Sequence, residues 1–381
     1  MPPFSIKDLA KIIERDSKDA TYKYALLRGS IEIIQENDNY KRITGETVSF
    51  PVGLLVLKWI EYYYPIISSS VFIPQKHGDS RERSIAFRWE FEKVISFYSG
   101  AENSYPLFYD LKKGITRPDL AEEVWQLVRK IRDTLIRQPM HYIGSAIDRG
   151  GEIYCYNKDA KRTRVSGYLS IESIIGALGT FSIPIELYHV MQVVGSFVTG
   201  THSLIFRWAE FTSGIANDPG ISTSKMISLL KSDFNERDIA RSKDYYARIL
   251  ESQDLHCVWS GKKVRDGMHI DHMIPFVAIR NNDLWNLLPS RGEVNIRKSD
   301  RIPAGELLKR SSVKERILYY WGGLMETYPL QFRSEVQIAL LGCTAFSPKG
   351  WKNDSYEQLI RISHHLIEDR GFSPWIINES I

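Results

Sequence analysis

The stretch at residues 255–304 constrains the fold more than any other part of the chain, because two apolar runs and a helix signal follow one another within about fifty residues. CVWSGKKV predicts a short strand and a turn, and MHIDHMIP predicts a second strand that ends at Pro275. After a loop, NLLP predicts another short strand. SRGE predicts a capping box in which Ser290 accepts from the amide of Glu293, so that a helix runs from residue 291 to about residue 300. The predicted arrangement is strand, strand, helix.

Polar side chains at defined spacings in this stretch suit a hard divalent cation. Asp271 and His272 end one strand, Asn286 follows 14 residues after His272, and Asn295 follows nine residues later on the helix. Asp271 and Asn295 can supply a carboxylate and an amide oxygen, which leaves most of an octahedral shell to water and a phosphate oxygen. The unperturbed pKa of a histidine such as His272 suits a general base near neutral pH.

The string DHMIP, the two spaced asparagines and the trailing RKSD together resemble the HNH (ββα-metal) endonuclease family. The spacing is similar to that of the HNH domain of RNA-guided CRISPR effectors, and CVWSG and RIP resemble free-standing HNH nucleases of bacterial restriction and defence systems. The resemblance implies that His272 is the general base, that Asp271 and Asn295 hold one divalent metal, and that Asn286 orients the base through the loop backbone. It also implies phosphodiester hydrolysis that leaves a 5′-phosphate, with DNA as the favoured substrate.

The residue types favour one class of metal over another. Many HNH proteins carry a histidine where this chain has Asn295, and such sites accept transition metals more readily. The pair of Asp271 and Asn295 favours Mg²⁺ or Mn²⁺. Many relatives also bind a structural zinc through two CxxC pairs. Here Cys257 stands alone, with Ser260 three residues on, so a structural zinc is not expected.

Further residues near these positions carry charge or a titratable ring. His269 shares the strand face of Asp271, so we expect it to hydrogen-bond within the site, with metal ligation or substrate contact as alternatives. The stretch 255–314 holds eleven Lys and Arg against six Asp and Glu, while the whole chain has a net charge of only +4. The cations expected to contact nucleic-acid phosphates, unless they form only a solvated face, are Arg291, Arg297, Lys298 and Arg301.

The rest of the chain is mostly helical in pattern. ATYKYALLRGSIEII and RPDLAEEVWQLVRKIRDTLI have helical periodicity, whereas GGEIYCYNKDAKRTRVSGYLSI predicts a β-hairpin around a basic tip. The expected fold class is α+β: a mostly α-helical N-terminal region with one hairpin, a small ββα module and a helical C-terminal tail. We place a recognition or regulatory region at residues 1–250, the HNH module at 251–312 and a helical cap at 313–381.

The prediction of function is a metal-dependent endonuclease that cleaves DNA in restriction or antiviral (anti-phage) defence. Three widely separated cysteines, the lack of a signal-peptide pattern and charged residues within the most apolar stretches indicate a cytoplasmic protein without membrane association. Besides DNA, the expected partners are a second copy of the chain or an activating protein. The alternatives are a nuclease that acts on structured RNA and a non-catalytic nucleic-acid-binding module built on the ββα fold.

Overall fold

A computed structural model of the chain describes residues 3–98, 106–113, 116, 118–147, 152–158, 169–199, 204–231, 238–264 and 267–377. The chain divides into two compact units, Met1–Phe234 and Asn235–Ile381. The predicted fold class is confirmed, because both units are mostly helical and contain small sheets. No helix in the described ranges is long and apolar enough to cross a membrane.

Helices form most of the first unit. The predicted helix at residues 20–34 and the predicted helix at residues 117–136 are both confirmed, and Pro118 begins the second of them, where its missing N–H costs nothing. The helices are α1 (Ile6–Arg15), α2 (Tyr22–Glu36), α3 (Val52–Ile67), α4 (Arg88–Ser96), α5 (Pro106–Lys113), α6 (Pro118–Leu135), α7 (Ile171–Ala177), α8 (Ile185–Thr199), α9 (Leu204–Ile215) and α10 (Thr223–Leu230), with a 3₁₀ turn at Asp38–Tyr40 and a π-helical turn at Ile136–Met140.

A four-stranded antiparallel sheet completes this unit, in the order β1-β2-β4-β3. Its strands are β1 (Arg42–Thr44), β2 (Thr47–Pro51), β3 (Cys155–Asn157) and β4 (Thr180–Pro184). The hairpin of β1 and β2 was not predicted; it turns at Gly45, whose φ of +58° favours glycine. The first arm of the predicted hairpin is β3, but it pairs with β4. Most of the basic tip and the second arm fall in residues 159–168, outside the described residues.

The core of this unit lies around α3, most of whose residues are apolar and buried. Gly53 allows α3 to approach α7 closely. A Cβ atom at Gly53 would lie 2.3 Å from the carbonyl oxygen of Ile174 and 2.5 Å from the Cα of Ile175. Because both neighbours are backbone atoms, only glycine permits this packing.

The second unit contains the predicted strand–strand–helix arrangement. Two strands pair in antiparallel register, with Asp271 opposite Leu288, and a short helix packs against both. Another strand pair is parallel and joins segments about seventy residues apart. The elements are α11 (Ala240–Ser252), β5 (Met268–His272), α12 (Phe276–Ile279), a 3₁₀ turn (Leu284–Asn286), β6 (Leu287–Arg291), α13 (Gly292–Lys298), β7 (Ile302–Pro303), α14 (Gly305–Leu308), α15 (Ser311–Thr327), α16 (Pro329–Val336), a π-helical turn (Gln337–Leu341), α17 (Trp351–Glu368) and β8 (Pro374–Trp375).

Two local predictions in this unit were wrong. CVWSGKKV is a turn closed by an isolated bridge between His256 and Lys263, so β5 is the first strand of the ββα element. The capping box does not form either, since Ser290 is a buried residue of β6 paired with His269. Its hydroxyl donates to the carbonyl oxygen of Arg291, and no side chain caps α13. Strand pairing that continues through Arg291 excludes the cap geometry.

The predicted C-terminal helices are confirmed, and they pack around the ββα element within the same unit. The indole of Trp321 on α15 donates to the carbonyl oxygen of Trp285 over 2.8 Å. The buried carboxylate of Glu335 on α16 accepts from the amide of Leu284 over 2.7 Å. These bonds attach the tail to the turn that precedes β6. The division of the chain at residues 250 and 312 stays a prediction.

Candidate active site

The outer part of the site consists of one side chain from β5 and one from α13. His269 is exposed, and its Nδ1 lies 3.5 Å from the amide nitrogen of Asn295, which is half-buried. A Cβ atom at Gly292, the first residue of α13, would lie 2.9 Å from Nε2 of His269. The absence of a side chain at Gly292 therefore lets the imidazole lie against the start of the helix.

Asp271 lies deeper on the same strand face as His269 and is 3% exposed. One carboxylate oxygen accepts from the indole nitrogen of Trp259 over 2.5 Å, and the other accepts from the ammonium of Lys298 over 3.0 Å. The ring of Trp259 in turn packs edge-on against Trp375 of β8, with centroids 5.2 Å apart. A buried carboxylate requires such donors, because desolvation of an unpaired charge is costly.

Lys298 was expected to be a surface cation, but it is buried. Its side chain is fully buried, and its ammonium donates both to Asp271 and, over 2.7 Å, to the backbone oxygen of His272. An ammonium held in this way does not face solvent. A phosphate contact at Lys298, as expected from the sequence, would therefore require the loss of these two buried hydrogen bonds.

His272 follows Asp271 but faces other partners. Its imidazole is 2% exposed, packs edge-on against Phe276 with centroids 5.5 Å apart, and joins its Nε2 to the amide oxygen of Asn282 over 3.0 Å. Because an amide oxygen only accepts, this bond requires the proton on Nε2 and leaves the lone pair of a neutral ring on Nδ1.

Asn286 is fully buried and ties the loop after His272 to the start of β6. Its side-chain oxygen accepts from the amide of Ile274 over 2.7 Å, and its side-chain nitrogen donates to the carbonyl oxygens of Ile274 and Asn281. Its backbone oxygen accepts from the amide of Met273 over 2.7 Å. One side chain thus fixes both ends of the loop that carries Asn282.

The other expected phosphate contacts differ in their surroundings. Arg297 is exposed, and Arg291 is partly exposed and lies 3.0 Å from the carboxylate of Glu293. The guanidinium of Arg301 donates to the carbonyl oxygens of Arg297 and Lys298 and so caps the end of α13. Arg297 and Arg291 can reach a ligand without loss of a buried bond.

The predicted ligand pair fits a hard cation by the chemistry of its donors. Trp259 and Lys298 each occupy one lone-pair site of the Asp271 carboxylate, so each carboxylate oxygen retains another. Asn295 contacts His269 through its amide nitrogen, which leaves the amide oxygen available. Among the described residues no hydrogen bond joins Asp271 to Asn295, and no group of three or more His, Cys, Asp or Glu side chains could hold a metal ion.

Two residues of this site were not predicted from the sequence. One is Trp259, whose indole N–H binds Asp271. The other is Asn282, whose amide binds the ring of His272. The sequence signal for Asn282 was the pair of asparagines directly before an acidic residue, at residues 281–283.

Side chains of α15 hold the segment between the end of α11 and the start of β5 in place. Arg316 donates to the carbonyl oxygens of Val258 and Trp259, and the hydroxyl of Tyr320 donates to the carbonyl oxygen of His256. Burial raises the pKa of Tyr320 to about 12. The turn that carries Trp259, and through it Asp271, is therefore stabilised by the C-terminal helices.

Comparison with known proteins gives two matches. Residues 4–230 match the family described as Domain of unknown function (DUF8808), and residues 257–304 match the family described as HNH endonuclease. The resemblance inferred from the sequence is confirmed by the second match. The chain matches no curated protein and no solved structure.

Proposed function

Because the chain belongs to the DUF8808 family over more than half of its length and carries an HNH endonuclease domain at residues 257–304, we propose that it is a metal-dependent endonuclease that hydrolyses DNA. The observation that carries this proposal is the HNH match on a ββα element whose strand and helix bear Asp271, His272 and Asn295.

In the proposed reaction His272 is the general base. With its Nε2 proton donated to Asn282, the lone pair on Nδ1 accepts a proton from water. The water oxygen then forms a bond to phosphorus while the bond from phosphorus to the 3′ oxygen breaks. The 3′ oxygen leaves with the bonding electrons and takes a proton from solvent, which gives a 3′-hydroxyl and a 5′-phosphate. Asn286 acts as a positioning residue, since it fixes the loop between His272 and Asn282.

Asp271 and Asn295 would hold the metal through one carboxylate and one amide oxygen. A bound Mg²⁺ or Mn²⁺ would supply charge neutralisation at the scissile phosphate. Lys298 receives a role other than the predicted one: its ammonium donates to the buried carboxylate of Asp271 and holds it in orientation. His269 hydrogen-bonds Asn295 at the open side of the site.

Access to His272 requires a local opening, because the ring is 2% exposed and packs against Phe276. Phe276 and Asn282 both lie in the connection between β5 and β6. On substrate binding the side chain of Phe276 would move aside and uncover Nδ1, while Asn282 keeps its bond to Nε2.

DNA, rather than structured RNA, is the proposed substrate because of the family resemblance. A role in restriction or antiviral defence and a cytoplasmic location remain predictions on the same basis. A single HNH site cuts one strand, so a double-strand break would need a second copy of the chain or two successive events. A non-catalytic nucleic-acid-binding role is the alternative from another class.

The test is nicking of supercoiled plasmid by the purified full chain in Mg²⁺, with total RNA digested in parallel. We expect plasmid nicking that EDTA abolishes, and a rate reduced by about 10²–10⁴-fold in His272→Ala, which is the contribution of a general base. His364→Ala is the matched control, since His364 is exposed on α17, away from the residues proposed for catalysis.

Cleavage by His272→Ala at the wild-type rate would show that the base is misassigned. If the chain digests RNA in preference to plasmid DNA, the substrate is RNA and the proposal of DNA is wrong. If the wild-type chain binds both nucleic acids but cuts neither in Mg²⁺ or Mn²⁺, with or without cell extract to supply an activator, the non-catalytic alternative is correct.

A further inference from the structure

A groove with a volume of about 570 Å³ lies beside the ββα element. It adjoins the proposed active site, because one of its lining residues is Gly292, where a Cβ atom would lie 2.9 Å from Nε2 of His269. Its charged and glycine lining residues are Lys262, Lys263, Gly267, Arg291, Gly292 and Glu293, and we name it the basic groove. Neither Lys262 nor Lys263 belongs to the site described above.

The charges of the basic groove favour a polyanion. Lys262 and Lys263 are exposed, and Lys262 takes part in no ion pair among the described residues. Lys263 pairs with Asp254, but both side chains of that pair are about half exposed. Arg291 pairs with Glu293 at 3.0 Å, also near the surface. Exposed pairs of this kind contribute little to stability, so a phosphate can replace either carboxylate at little cost.

Backbone rather than side chains forms part of the groove wall. Gly267 has a φ of +77°, and no atom lies within 4 Å of the place a Cβ would take. At Gly292 a side chain would instead meet the ring of His269. These two glycines keep the space between the cations open, which lets a sugar–phosphate chain approach the backbone closely.

We propose that the basic groove binds the sugar–phosphate backbone of the nucleic acid on one side of the scissile phosphate, through Lys262, Lys263 and Arg291. This rests on the proposed function, since Gly292 of the groove lies against His269. The cations contact phosphates and not base edges, so they contribute affinity and register without sequence preference. Phosphate neutralisation releases counterions, which makes the contribution visible in the salt dependence of binding.

The experiment measures binding of a fluorescent 30-base-pair DNA duplex to the full chain carrying His272→Ala, between about 50 and 200 mM NaCl. Added Lys262→Ala and Lys263→Ala should reduce the magnitude of the slope of log K against log salt by roughly 2, about 0.9 for each lost phosphate contact. The charge-matched control is Lys309→Ala with Lys349→Ala, two exposed lysines of the same unit outside the groove. This control should leave the slope within about 0.3 of the parent value.

In the active chain, the groove substitutions should raise KM by tenfold or more with kcat nearly unchanged. Equal slope changes in the groove and control variants, or no change in either, would overturn the proposal, because the attraction would then be diffuse or located elsewhere. The two proposals fail separately. If the chain cuts plasmid and the groove variants bind DNA normally, only the proposed role of the groove is refuted. If the chain never cuts, but the groove substitutions reduce the salt dependence of DNA binding, only the proposed nuclease activity is refuted.

Discussion

Substitution of Lys298 by methionine tests the buried pair that holds Asp271. The change keeps the shape of the side chain but removes an ammonium that is 0% exposed and donates to both Asp271 and the carbonyl oxygen of His272. Loss of one partner of a buried ion pair costs about 3–5 kcal/mol, because the remaining charge is left without compensation. Asp271 would retain only the bond from Trp259.

Hydrogen exchange followed by mass spectrometry is the suitable assay, since the chain has two units and β5 and β6 can be followed separately. In EDTA, Lys298→Met should speed exchange of the protected amides of these strands by roughly 100- to 5,000-fold, which corresponds to 3–5 kcal/mol. Peptides from the first unit serve as an internal control. Arg297→Met, at an exposed neighbouring position, should change the opening free energy by less than about 0.5 kcal/mol.

Two further arms separate charge from packing. Combining Lys298→Met with Asp271→Asn removes both charges, so it should cost less than Lys298→Met alone. Millimolar Mg²⁺ should restore part of the protection in Lys298→Met, about 2.7 kcal/mol at one hundred times the dissociation constant. A cost below about 1 kcal/mol in EDTA, or a double variant no more stable than the single one, would refute the account of the pair.

Two other perturbations follow from the packing of each unit. Gly53→Ala should lower the free energy of unfolding of the first unit by about 1–3 kcal/mol in urea, because the new Cβ meets the backbone of Ile174, whereas Gly214→Ala, with open space around it, should be neutral or stabilising. An equal effect at both positions would contradict this reading. Burial raises the pKa of Tyr320 from 10.0 to about 12, so the stability that it contributes is complete below pH 10 and is lost as the pH rises through 12. The urea midpoint should therefore fall more steeply between pH 9 and 11.5 in the wild-type chain than in Tyr320→Phe; parallel curves would refute the assignment.

Patterns that depend on spacing along the chain gave reliable predictions. The apolar runs and the helix signal at residues 255–304 predicted the ββα element, and the spacing of Asp271, His272, Asn286 and Asn295 carried the resemblance to the HNH family. The same holds for α6, where apolar residues recur at helical intervals and Pro118 begins the helix. Here local propensity and tertiary packing favour the same structure.

Predictions failed where a local signal competed with contacts distant in sequence. Ser290 had the pattern of a helix cap, yet pairing with His269 across the sheet keeps it in a strand. Lys298 lies in the charged run RKSD, which predicts a surface cation. The buried carboxylate of Asp271, 27 residues earlier, nevertheless requires a positive partner. Neither competing contact is visible in a window of local sequence, because each depends on which strand lies alongside which helix.

The pairing of β7 with β8 also affects when the site can form during synthesis. Ile302 can pair with Pro374 only after Pro374 has been synthesised. Trp259 can likewise pack against the ring of Trp375 only after Trp375 has been synthesised. At a translation rate of about 5–20 residues per second, the ribosome needs roughly 4–14 s to pass from Ile302 to Pro374 and roughly 6–23 s to pass from Trp259 to Trp375. For those seconds the nascent chain holds β5 and β6 without the contact between Trp259 and Trp375, so the candidate site is complete only after the C-terminal strand has been synthesised.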